Sequence, residues 1–267
     1  MSASRSISTA DYGIVTAESL CVKGAGGAPI NLTLRAGDRI GLLGAAGSGK
    51  QQLLRTLARL EKPAGGRIIW SGSDVTRRPR WLLGQRQSDV VLIWANPYAL
   101  FADGTSPRRL LKTFTSRSRS AVDEPSHNVS FPAAMRDIQV GALSGYQRVR
   151  LALAYAEHKE ALAVLLDDVF RSLNPGTWPA LLEQLDRATE DHRALLMASQ
   201  YPRALAHTDH ILVLLNGEIV EQGPTTSVLQ RPQHAYTQWL ARRSTVQSYH
   251  TRDWQQTSQA YAQAELE

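Results

Sequence analysis

The chain has 267 residues, 43% of them apolar and 20% charged, with a formal net charge of +6 and a single cysteine, Cys21. That length can bury a large core as one big domain, and the composition is that of a folded protein. One cysteine excludes an internal disulfide framework and any cysteine-built cluster. No apolar run approaches the roughly 20 residues of a membrane span. Met1 to Ser6 has no apolar stretch of a secretory signal, so a cytoplasmic location is expected. The positive charge is mostly arginine, clustered at Arg77, Arg78 and Arg80 and again at Arg117 and Arg119. Such clusters suit nucleic acid or anionic lipid, or simply solvated loops. No aromatic stacking platform is interleaved with them, which favours the second reading, and nucleic acid is not expected as a partner.

In chain order, alternation predicts strands at Val15–Val22 and Ile30–Leu34 around a turn at Gly24–Gly27. Arg39 to Leu43 is a short buried strand, and Leu53, Leu54, Leu57 and Leu60 recur at helical spacing. A strand is expected over Gly66–Trp70. The stretch from about Asn96 to Gly141 is rich in Ser, Arg and Pro and reads as a small helical insertion. A helix runs from Ser144 to about His158, a strand from Ala163 ends at Asp167 and Asp168, and Leu181, Leu182 and Leu185 mark another helix. Ala194–Ala198 is a buried strand, and His210–Leu215 and Glu218–Glu221 flank the hairpin turn Asn216-Gly217. Residues 228–243 read as one terminal helix, followed by a polar, Gln-rich tail over 244–267. Strands alternating with helices predict an α/β protein with a mostly parallel sheet covered on both faces.

The segment Gly44-Ala45-Ala46-Gly47-Ser48-Gly49-Lys50 matches G-x-x-x-x-G-K, the phosphate-binding loop. A glycine loop between strand and helix presents a ring of backbone N–H groups, and the helix N-terminus adds partial positive charge. Lys50 would reach the β- and γ-phosphates of a nucleotide. The motif normally continues with a Ser or Thr whose hydroxyl holds Mg²⁺, and here Gln51 stands there. The strand ending at Asp167 offers a carboxylate for the same ion.

Leu143-Ser144-Gly145-Tyr146-Gln147, followed by Arg148, resembles the L-S-G-G-Q signature of ABC-type ATPases, with Tyr146 in place of the second glycine. Together with the loop and the Asp167 strand, the resemblance covers roughly residues 12–240. It implies a P-loop NTPase fold with a RecA-like core, an antiparallel β subdomain and a helical signature subdomain at about 96–158, all within an ABC ATPase domain spanning 1–243. It implies ATP and Mg²⁺ as ligands and a head-to-tail dimer. In that dimer Ser144, Gly145 and Gln147 would serve a neighbouring subunit's nucleotide.

Against the family pattern the departures fall on chemical positions. Gly24 stands near where an aromatic residue stacks on adenine, with Tyr12 as an alternative. In Ile93-Trp94-Ala95-Asn96-Pro97-Tyr98, which resembles F-Q-N-P-Y, Ala95 replaces the glutamine. Asp168 takes the place of the catalytic glutamate and is shorter by one methylene. Asn174 removes a carboxylate, and Gln200 replaces the switch histidine, which can carry a proton where an amide cannot. Tyr146 is expected to border the partner's phosphate. A weakly binding or slowly hydrolysing site at this chain's own loop is therefore expected, beside a better preserved signature.

Arg231-Pro232-Gln233-His234-Ala235-Tyr236-Thr237-Gln238-Trp239-Leu240 resembles the H-P-Y-T-x-x-L ending of the oligopeptide, dipeptide and nickel importer ATPases. That resemblance implies a second, intact ATPase subunit, two transmembrane permeases, a solute-binding protein reached indirectly, and a peripheral position on the cytoplasmic face of the inner membrane. The alternative is a nucleotide-gated scaffold in a soluble enzyme complex, such as a phosphonate-degrading lyase assembly.

Overall fold

The structure, a computed structural model, describes residues 13–24, 26–94, 96–115, 131–189 and 193–243. Tyr12, Ala95, Arg117, Arg119 and the tail after Arg243 lie outside them. Two sheets organise the described residues. The first is antiparallel and contains β1 (Val15–Cys21), β2 (Ile30–Leu34), β4 (Gly65–Trp70) and β5 (Ser73–Asp74) in the order β2-β1-β4-β5. The second is built from β3 (Arg39–Leu43), β6 (Val90–Ile93), β7 (Ala163–Asp167), β8 (Ala194–Ser199), β9 (His210–Leu215) and β10 (Glu218–Pro224). Its order is β10-β9-β3-β8-β7-β6, parallel throughout except for β10. Strand β10 turns back from β9 over Asn216-Gly217, whose φ angles of 49° and 83° are those a tight two-residue hairpin requires.

The parallel strands read as apolar runs because both faces are covered. Leu42, Leu165 and Leu196 pack with the antiparallel sheet and with Leu53, Leu54 and Leu57 of α1 (Lys50–Leu57). Their chain neighbours Leu43, Leu166 and Met197 face the other way, onto α3 (Gly145–His158) and α4 (Trp178–Ala188). Leu60 was expected to extend the apolar stripe of α1, but the helix stops at Leu57 and Leu60 is 41% exposed. Strand β6 was not anticipated. Its Val-Val-Leu-Ile run pairs in parallel with β7 and forms the sheet edge.

The region 96–141 contributes α2 (Pro107–Thr115) and short turns of 3-10 helix at Pro97–Ala99, Ala133–Met135 and Val140–Ala142. The single terminal helix expected over 228–243 is two helices, α5 (Thr225–Gln230) and α6 (Ala235–Arg243). The break follows from Pro232, which lacks an N–H and pushes the preceding residue out of helical geometry, and Arg231 sits at φ −135°, ψ 60°. The Glu221 carboxylate accepts from the N–H groups of Gln233 and His234, and His234 Nδ1 accepts from Tyr236 N–H. These bonds fix where α6 begins.

Candidate functional site

The C-terminal ends of the parallel strands converge on the loop between β3 and α1, the position where open α/β sheets bind ligands. The loop's glycines are there for contact and for conformation. A Cβ on Gly44 would lie 2.5 Å from Ser48 Oγ and 2.6 Å from the Leu214 carbonyl, while Gly47 and Gly49 have φ of 83° and 99°. Gly49 caps α1 with no side-chain hydrogen bond, and no acidic residue occupies the first turn. The amides at this helix start therefore remain available to an anion. Ser48 O accepts from Gly217 N–H at 2.8 Å and Gly44 N–H donates to Ser199 O, so the loop is tied to two neighbouring strand ends.

Lys50 lies inside the loop it serves. Its Nζ donates to Gly44 O at 2.7 Å, Ala45 O at 2.8 Å and Ser48 Oγ at 3.3 Å. Burial pulls its pKa down to about 8, against the opposing charges of Asp168 and Asp167. An arriving polyphosphate would replace these carbonyls with full negative charge, a stronger partner for a buried ammonium.

Beside the lysine stand two carboxylates at the end of β7. Gln51 Nε2 donates to Asp167 Oδ2 at 3.0 Å. Burial raises the pKa of Asp167, and the Gln51 bond and the Lys50 charge oppose the rise. Asp168 adopts left-handed backbone geometry at φ 44°, which aspartate tolerates better than most residues. Its pKa is also raised, first by burial, with Lys50 and the Gln200 N–H acting against it. Ser199 Oγ donates to Asp168 Oδ1 at 3.3 Å, so this short carboxylate is held back toward β8. The Gln200 side chain is engaged elsewhere, its Nε2 donating to Tyr201 Oη at 3.2 Å.

These residues fit a polyphosphate. Gly44 lets the loop close tightly on Ser48 and the Leu214 carbonyl, no acidic residue shields the helix start, and a buried cation sits within the loop. For a divalent ion Asp167 supplies a carboxylate. Gln51 would have to offer an amide oxygen in place of a hydroxyl, with its nitrogen released from Asp167.

Residues 143–148 form a separate locus at the start of α3. Ser144 is the N-cap; its Oγ accepts from Gln147 N–H at 3.3 Å and its N–H donates to Gln147 Oε1 at 2.8 Å, a reciprocal capping box. Ser144 is exposed, and its hydroxyl proton is not used in the cap. Tyr146 is half-buried. Its hydroxyl accepts from Gln184 Nε2 on α4 at 3.2 Å, and the Arg150 guanidinium lies 5.9 Å from the ring. Tyr146, expected to border a neighbour's phosphate, sits in ordinary right-handed helix that needs no glycine, and its hydroxyl reaches its own α4.

The roles of two residues escaped the sequence reading. Arg148 is 1% exposed and donates to Leu143 O, Gly141 O and Asp103 Oδ1 while stacking over Tyr98, which fastens the segment leading into Ser144. Tyr236 on α6 accepts through Oη from Ala45 N–H at 2.8 Å. Arg148 directly follows the motif and was visible as part of it. Nothing in the sequence links Tyr236 to a residue 191 positions away. Gly24, offered as the adenine-side position, is a turn residue with φ 79° and carries no side chain to stack.

A profile of the ABC transporter family matches residues 28–171. The methionine import ATP-binding protein MetN of Xylella fastidiosa is 28% identical over 223 residues. MetN 2 of Pseudomonas aeruginosa is 31% identical over 219 residues. Each alignment covers 78% of this chain and 64% of the relative, so the chain spans about that share of the relatives' length. Among solved structures, cbiO1 of Clostridium perfringens superposes with a TM-score of 0.71 at 18% identity, covering 82% of this chain and 92% of that one. The ATP-binding cassette MJ0796 bound to ADP and Pi gives 0.67 at 16%, covering 79% and 98%. The ligands of this family's cassette are ATP and Mg²⁺. With the family profile matched over more than half its length and the cassette fold shared, the chain belongs to the ABC transporter family, as an ATP-binding domain.

Proposed function

We propose that the chain is the ATP-binding subunit of an ABC importer and the catalytically degenerate half of a heterodimeric ATPase pair. Its relatives are named as importers of methionine, which supports the direction of transport. The ending over 231–240 favours the peptide and nickel type of importer. The subunit works peripherally at the cytoplasmic face of the inner membrane with two permease subunits, which a solute-binding protein feeds. No helix among the described residues is long and apolar enough to cross a membrane, and attachment through those partners is part of the proposal. The domain occupies 1–243, with the helical subdomain at about 96–158.

The roles divide between two sites. Gly44, Ala45, Ala46, Gly47, Ser48, Gly49 and Lys50 cradle the phosphates of this chain's own nucleotide. Gln51 and Asp167 hold the metal, which supplies neutralisation of phosphate charge when bound. Asp168 takes the position of the general base and Gln200 that of the γ-phosphate contact. Ser144, Gly145 and Gln147 complete the site on the partner.

One observation carries this reading: substitution is concentrated around the chain's own phosphates, while Ser144 stands exposed and correctly capped. Asp168 is short and tied to Ser199 and Gln200, which leaves it poorly placed to reach an attacking water. Gln200 cannot shuttle a proton. The test is to co-purify the chain with an intact ATPase partner and its permeases and introduce Ser144→Arg. Turnover of the complex is expected to fall at least tenfold, and unchanged turnover would argue against the shared site.

A further inference from the structure

The phosphate loop is held from both sides of one peptide. On the carbonyl side, Lys50 Nζ takes the oxygens of Gly44 and Ala45. On the amide side, Ala45 N–H points away from the cradle into the protein and donates to Tyr236 Oη at 2.8 Å. Tyr236 is 2% exposed, and its ring stacks on Trp239 with centroids 5.9 Å apart. Burial pushes its pKa up to about 12, so the phenol stays protonated and neutral. Helix α6 is itself seated in the core through Tyr236 and Leu240.

The two ties respond differently to a ligand. To meet a polyphosphate, Lys50 must leave the Gly44 and Ala45 carbonyls. The phosphate-bound loop then loses its internal cation, and Tyr236 becomes a restraint that keeps the peptide from rotating into the cradle. A buried N–H with no acceptor is costly. The free loop can relax to satisfy it; a loop wrapped on phosphates cannot.

We propose that Tyr236 is a positioning residue of the nucleotide site, holding the phosphate loop from α6 through its hydrogen bond to Ala45. This rests on the reading that the loop binds a nucleotide polyphosphate. Because coupling between sites is reciprocal, nucleotide binding in turn stabilises α6.

The experiment uses the full chain, ATP with Mg²⁺ as the probe, and two variants. Tyr236→Phe removes the acceptor and keeps the ring; its ATP dissociation constant is expected to rise about tenfold. Leu240→Ala removes core packing from the same helix without touching Ala45; it is expected to lower the melting temperature and leave the dissociation constant within about twofold of the original. A Tyr236→Phe affinity within twofold of the original, or equal losses in both variants, overturns the proposal. Should Tyr236→Phe fail to fold, hydrogen exchange of the unmodified chain decides. Protection of residues 45–50 and 235–243 is expected to rise together on adding ATP, and protection of the loop alone overturns the proposal. Absence of ATP binding by the unmodified chain overturns the nucleotide reading itself and this inference with it, a result distinct from binding that ignores Tyr236.

Discussion

At the phosphate loop the backbone follows the family and the surrounding side chains have changed; at residues 143–148 one side chain has changed and the backbone accommodates it. The loop keeps its glycine geometry and its buried lysine, but Gln51, Asp168 and Gln200 are each engaged with neighbours inside the chain. The signature keeps an exposed Ser144 over a complete capping box, and its one bulky replacement, Tyr146, lies along α4. Binding by backbone amides survives side-chain substitution, because every residue supplies an N–H. Acid–base chemistry does not survive it, because that depends on one group at one distance. That difference is the basis for proposing a site that keeps its affinity while losing its rate.

The sharpest way to break this contrast is at the lysine. Lys50→Ala removes the buried cation and is expected to weaken ATP binding by about 100-fold, read as a dissociation constant on the full chain. An intact affinity would mean that the loop is not a phosphate site. Next in size is Arg148→Ala. It strands the carbonyls of Gly141 and Leu143 and opens a cavity beneath Tyr98, and it is expected to cost about 2 kcal/mol of stability in a denaturant melt.

Much of this molecule was legible in its sequence because the signals are local. Strand β3, the glycine loop and α1 follow one another within 20 residues, and apolar runs such as 163–166 and 194–198 can only be buried strands or helices. The hairpin at Asn216-Gly217 was fixed by its turn chemistry. The split between α5 and α6 was readable from Pro232 but was masked by an apolar pattern that continues past it. What the sequence could not show are contacts closed by the fold. Gln51 meets Asp167 across 116 positions, and Tyr236 meets Ala45 across 191. The direction of the Tyr146 side chain depends on Gln184, which lies in another helix. The substitutions were visible, but whether each side chain faces a ligand or its own chain was not.

Smaller effects sharpen the comparison. Tyr146→Gly restores the family residue, and since the tyrosine hydroxyl is held on α4, turnover with a partner ATPase is expected to change less than twofold. The isolated chain should lose about 1 kcal/mol from the glycine in α3. The smallest effect concerns pH. Burial alone would raise the Glu221 carboxyl, but the Gln233 N–H, the Thr237 hydroxyl and the His234 N–H together outweigh it and hold it below the usual carboxylate range. A depressed folded pKa means that this stabilisation of α6 is fully present above the unfolded value, about 4.3, and is lost as pH falls through the folded one. Hydrogen exchange over 235–243 is expected to accelerate below about pH 4, and Glu221→Gln should abolish that pH dependence.

The central claim is that this chain holds ATP at residues 44–50 but lacks the groups to split it quickly. The most direct measurement is the steady-state ATPase rate of the purified full chain alone, with saturating ATP and Mg²⁺. The account predicts a rate at least 100-fold below about one turnover per second, the low end of ordinary enzyme rates. A turnover near one per second from the chain alone would contradict it.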